Sequence, residues 1–136
     1  MLPSSLGILN RSFYTANIRL NENYIESISR AKVLLESSVS LLEDLINLVS
    51  QEVSNRNINR SSARSINNKL NCALRLDRIS FTNLTKILDS YPQDGTRDES
   101  LISTISRYHD SALRRVRASI ECKREAKERM QRAGLL

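Results

Sequence analysis

Between Ile28 and Val53 apolar residues recur so densely at seven-residue spacing that a long helix with one broad buried face is the economical reading. Ile28, Leu35, Leu42 and Val49 fall every seven residues, Val39, Ile46 and Val53 follow three of them by four, and Leu34, Leu41 and Leu48 precede three of them by one. A helix brings such positions onto one side. A two-stranded coiled coil needs only a narrow seam, whereas a face this wide calls for two neighbouring helices to cover it. The spacing therefore predicts a helix over about 23–54, central to a bundle, with Asn23 and Glu26 placed for a capping box at its start. Leu34, Leu41 and Leu48 are the extra width of that face and are candidate partner-binding residues.

Two further helices follow from the same periodicity. The polar stretch 55–62, NRNINRSS, is rich in Asn and Ser, which favour turns and caps, and should be the first loop. A second helix is expected over about 63–91, its stripe carried by Leu70, Leu74, Phe81, Leu84, Leu88 and Tyr91. Asp77 falls where that stripe expects an apolar side chain, so it must reach water or meet a basic group such as Arg78 or one on another helix. Pro92 and the Asp94-Gly95 pair end this helix. Thr96 with Glu99, or Asp98 directly, then caps a third helix over about 99–133, with Gly134 as its C-terminal cap. The apolar face of the third helix is Ile102, Ile105, Ala112, Leu113, Val116 and Ile120. Beyond Ile120 it fades, which predicts a projecting end.

The expected fold is all-α: an elongated up-down-up three-helix bundle with coiled-coil-like packing. Residues 22–136 form a single domain, and residues 1–21 precede it as a flexible or short helical arm. Three glycines and two prolines leave too little turn chemistry for a sheet of this length. Six aromatic residues and no Trp imply a core of Leu, Ile and Val.

Few residues suggest chemistry. Cys72 and Cys122 lie in no CxxC pattern, and with one histidine in the chain neither a zinc site nor a disulfide framework is implied. A reducing compartment suits both. His109 sits on the apolar stripe of the third helix, seven residues before Val116, and reads as a packed or half-exposed core histidine and not as a catalytic base. No nucleotide-binding, metalloprotease or calcium-binding motif occurs, so neither an enzyme nor a cofactor is expected. No apolar run reaches the length of a membrane span.

The net charge of +6 is concentrated at the C-terminal end, where residues 107–136 hold nine basic and four acidic groups. Glu121, Glu125 and Glu128 lie three or four residues from Arg124 and Arg129, which is the spacing of intrahelical ion pairs. Arg107, Arg114, Arg115 and Arg117 are less neutralised and read as a solvated helix end whose arginine patch is offered to an acidic protein partner. If the chain instead binds nucleic acid, Arg56, Arg60 and Arg64 near the first loop, with Lys123, Arg124 and Lys127 on the third helix, would track phosphates. The lack of aromatic stacking platforms weighs against that reading.

The pattern points to a non-enzymatic helical or coiled-coil subunit of a multiprotein assembly, of the cytoskeletal, kinetochore or tethering kind. Its partners would be other helical subunits in a hetero- or homo-oligomer, in the cytoplasm or nucleus. The opening twenty residues hold Arg11 and Arg19, several hydroxyls and no acid, the composition of a mitochondrial transit peptide. A mitochondrial helical protein with a cleaved presequence is the corresponding alternative.

Overall fold

The computed structural model describes residues 4–10, 22–91 and 98–136, and among them every regular element is helical. A short helix, α1, covers residues 5–10. Three long helices follow: α2 Glu22–Ser54, α3 Arg60–Ser90 and α4 Glu99–Arg132. Their 33, 31 and 34 residues correspond to about 45–50 Å each. They pack antiparallel in chain order, as the short loops imply. As α3 runs back from Asn83 to Ser65, its hydrogen-bond partners on α4 run forward from Ser111 to Arg129.

The helix ends follow from local chemistry. α3 starts three residues earlier than its apolar pattern suggests, because Asn59 caps it by accepting from the Ser62 N–H at 2.7 Å. Ile58 and Ala63 flank this cap and are buried in the same cluster, a hydrophobic staple. Asp98 caps α4 through Ser100 N–H at 3.1 Å. The Thr96 alternative and the Pro92–Gly95 turn lie outside the described residues. Tyr91 ends α3 in the extended conformation favoured before proline, with φ −71 and ψ 126. α2 begins at Glu22, which puts Asn23 inside the first turn instead of at the cap.

α4 ends as its glycine predicts. Gly134 is left-handed at φ 78, its N–H donates to the Gln131 carbonyl at 3.1 Å, and Leu135 N–H donates to Met130 at 2.9 Å. This is a Schellman closure. α2 closes in the same way, through Arg56 N–H to Val53 at 3.0 Å and Asn57 N–H to Glu52 at 2.9 Å, but the left-handed position is held by Arg56 at φ 62. A side chain in that conformation costs about 1–2 kcal/mol. Arg56→Gly is therefore expected to stabilise the fold by about 1 kcal/mol and raise the thermal midpoint by about 3–5 °C. A circular-dichroism melt checks this, and an unchanged or lower midpoint would count against the assignment.

The central helix is α3, which corrects the expectation that α2 holds that place. No Cα of α2 comes within 8 Å of a Cα of α4, and both helices pack on α3. The buried face of α3 mixes Ile66, Leu70, Leu84 and Ile87 with Ala63, Ala73 and Ser80, and the small residues let neighbours approach from two sides. Part of the broad stripe on α2 is left outside: Leu41 is 59% and Leu48 37% exposed.

Two apolar clusters form the core. At one end Tyr24, Ile28 and Leu35 of α2 meet Leu84 and Ile87 of α3 and Ile105, Leu113 and Val116 of α4, joined by Ile8 and Leu9 of α1. At the other end Leu42 and Val49 meet Ile66, Leu70, Ala126 and Met130. A polar layer separates them. Asp77 is fully buried there, not partly exposed, and its Oδ2 accepts from the Ser38 hydroxyl at 2.6 Å and from Lys123 Nζ at 2.8 Å. Arg78 turns outward to Glu43 at 2.7 Å. Ser119 Oγ donates to the Ala73 carbonyl at 3.3 Å.

The end of α4 does not project. Its inner face continues through Val116, Ser119, Ala126 and Met130, all buried, while Ile120 points outward. The contact persists because small residues and cross-helix polar bonds replace branched aliphatics. Glu125 pairs with Lys69 of α3 at 2.5 Å instead of with Arg129, and Arg129 donates to the Ser65 carbonyl at 2.8 Å and hydroxyl at 3.0 Å.

Candidate functional site

Because the backbones of α2 and α4 pack on α3 and stay apart from each other, linked directly by the Tyr24–His109 side-chain contact, a furrow runs between them, and its two ends differ. At one end α1 fills it. Ser4 caps α1 by accepting from Gly7 N–H at 3.0 Å, and Ile8 and Leu9 reach the core between the flanking helices. His109 of α4 helps to hold this segment. Its Nε2 lies 2.8 Å from the Leu9 carbonyl oxygen, and its Nδ1 lies 2.8 Å from the Tyr24 hydroxyl. A carbonyl only accepts, so Nε2 carries the proton and Nδ1 accepts from Tyr24. Burial lowers the His109 pKa below its ordinary value, against smaller opposing effects of the Leu9 hydrogen bond and Asp110. Burial also raises the Tyr24 phenol well above its ordinary range. The histidine is thus a neutral core residue, as its place on the stripe predicts.

At the other end the furrow is open. It forms a groove of about 570 Å³ with Leu34, Leu41 and Leu45 of α2 on one wall, Lys123, Ala126, Lys127 and Met130 of α4 on the other, and Leu70 of α3 at its floor. Leu136 also lines it, and Ser37 and Ser38 are the other polar lining residues besides the lysines. Its apolar rim is wet: Leu41 and Leu136 are among the most exposed large apolar residues. Ile120, also exposed, lies on the same strip of α4, three and seven residues before Lys123 and Lys127.

Of the residues singled out for partner binding, Leu34 and Leu41 line this groove, and Leu48 continues the same strip of α2 beyond it. The arginine patch lies elsewhere and is partly engaged. Arg114 pairs with Asp110 at 3.4 Å, Arg115 donates to Ser111, and Arg117 donates to Asn10 at 2.9 Å, while Arg107 is exposed.

The residues read for phosphate binding do not form one surface. Arg56 stands in the loop, which is not helical, and shares a hollow with Arg60, which also lines an adjoining one with Arg64, Asn67 and Asn68, apart from the groove that Lys123 and Lys127 line. Lys123 is committed to Asp77, and Arg124 is held between Glu121 and Glu128, which push its pKa up further. Lys127 is exposed on the groove wall. Ala126 and Met130 were not legible as site residues, because a wall made of one alanine and one methionine leaves almost no periodic signal.

No cluster of three or more His, Cys, Asp or Glu side chains placed to hold a metal occurs among the described residues. None of the described helices is long and apolar enough to cross a membrane. No protein-family model, curated protein or solved structure matches the chain.

Proposed function

We propose that this chain is a non-enzymatic helical subunit of a multiprotein assembly and that the α2–α4 groove receives an amphipathic helix of another subunit. The observation that carries the reading is an apolar groove left open on the surface beside a closed core. Contiguous apolar surface rimmed by polar residues is a mark of protein–protein interaction sites. The molecule contains its own precedent: α1 occupies the other end of the same furrow by inserting Ile8 and Leu9. The second helix would present apolar residues at i, i+3 or i+4, and i+7. Its flank facing α4 would be acidic, because the exposed Lys127 stands on that wall. A nucleic-acid role is weaker, since Lys123 and Arg124 are held by carboxylates within the chain.

The test is capture of partners by the tagged chain from nuclease-treated extract of its native cells, in parallel with Leu41→Glu and Arg64→Glu. Leu41 is an exposed groove residue, so Leu41→Glu should leave the helical content unchanged. The expected result is a stoichiometric protein partner with an acidic amphipathic segment, kept by Arg64→Glu and reduced at least about tenfold by Leu41→Glu. Equal recovery with Leu41→Glu, partners lost on nuclease treatment, or a stable dimer of the chain alone in sedimentation would each overturn the reading.

A further inference from the structure

Cys72 and Cys122 are fifty positions apart in sequence, yet their Sγ atoms lie 3.0 Å apart across the α3–α4 interface, and both are free thiols. Each sits in the interior of a long helix, held by the Lys69–Glu125 bridge on one side and the Asp77–Lys123 bridge on the other. Bond formation at about 2.05 Å asks the sulfurs to close by only about 1 Å.

We propose that Cys72 and Cys122 form a thiol modification site, at which a low-molecular-weight disulfide of the glutathione type oxidises the pair to a cross-link between α3 and α4. The two sulfurs have different roles. Cys72 is exposed and is the point of entry, whereas Cys122 is half-buried. Burial and the neighbouring Cys72 push the Cys122 thiol up to about 11, with Lys69 opposing. A half-buried, weakly acidic thiol is a poor first attacker and is suited to the second, intramolecular step.

In the first step the Cys72 thiolate attacks one sulfur of glutathione disulfide. The S–S bond breaks, one glutathione thiolate leaves, and a mixed disulfide remains on Cys72. In the second step Cys122 loses its proton and attacks Cys72 Sγ, releasing the second glutathione. The two cysteine thiols are oxidised, one glutathione disulfide is reduced to two thiols, and the two cysteine protons end on those thiols. The product ties α4 to α3 one residue before Lys123, on the helix that forms the basic wall of the groove.

The experiment treats the reduced full-length protein with glutathione disulfide at neutral pH, quenches by alkylation and reads intact and peptide masses. The expected product is one intramolecular Cys72–Cys122 disulfide, with Cys122→Ser accumulating the Cys72–glutathione adduct instead. Closure in the folded chain should exceed that in the urea-unfolded chain by at least about a hundredfold, because the helices hold the thiols in place. The cross-linked protein should melt about 5–10 °C higher than the reduced form. Two thiols still open to alkylation, adducts that never close in the wild type, or equal closure rates in the folded and unfolded chain would overturn the proposal.

Discussion

Lys123→Ala is expected to destabilise the fold by about 3 kcal/mol, far more than its partial exposure suggests. The cost arises at the other end of the ion pair. Asp77 is fully buried, its Oδ2 is held by Lys123 and the Ser38 hydroxyl, and its Oδ1 has no hydrogen-bond partner among the described residues. Removing the lysine leaves a carboxylate in the interior with one hydroxyl to satisfy it. Breaking one side of a buried pair in this way costs about 3–5 kcal/mol. The lower figure applies because the Lys123 side chain is itself about a third exposed. The double change Asp77→Leu with Lys123→Met removes both charges and should return stability to within about 1 kcal/mol of the parent. The surface pair Arg78–Glu43 is a control: Arg78→Ala should cost less than about 1 kcal/mol, since both partners are about half exposed. Urea unfolding of the four proteins decides the matter. A Lys123→Ala variant as stable as Arg78→Ala would show that Asp77 does not depend on its lysine.

The second large effect is on pH. His109 is fully buried, with the Leu9 carbonyl on Nε2 and the Tyr24 hydroxyl on Nδ1. Asp110, next to it in the chain, favours the charged ring but is outweighed by burial. Its folded pKa therefore lies below the ordinary value of 6.5. Below that value the unfolded chain binds a proton that the folded chain refuses. Stability from this residue is thus fully present above about pH 7 and declines as pH falls, with a limiting slope of about 1.4 kcal/mol per pH unit for one proton. The decline ends where the folded ring itself protonates. His109→Gln keeps a donor for the Leu9 carbonyl and removes the titration, so its stability should vary less between pH 7 and 5 than that of the parent. Parallel profiles for the two proteins would exclude His109 as the source.

The sequence reveals the helices more readily than their order of importance. Apolar spacing over 28–53 identifies α2, and Asp98 and Gly134 mark two of the helix ends that the structure shows, while the cap at Asn59 lies inside a stretch that reads as loop. Spacing also makes α2 look central, because hydrophobic width was equated with burial. α3 takes the centre with alanines and serines, which carry little weight in an apolar count but allow close approach. The same bias makes the buried face of α4 seem to end at Ile120, when Ala126 and Met130 continue it. Asp77 stands out as a misplaced carboxylate, yet its partners are 39 and 46 positions away and no local rule points to Ser38 or Lys123. For the groove, one wall was legible in Leu34 and Leu41. The opposite wall depends on the path of α4, which periodicity misplaces.

With α3 between them, α2 and α4 are related to it as two covers to the spine of a book. Opening the covers meets resistance from the apolar contacts each makes with the spine and from two side-chain ties across the gap: Tyr24 to His109, and Ser38 through Asp77 to Lys123. The first tie joins two neutral groups and the second ends in an ion pair, so the stiffness of the opening is set by hydrogen bonding and charge as well as by packing. A load pulling the covers apart would concentrate on those two points before it reached the ends of the helices.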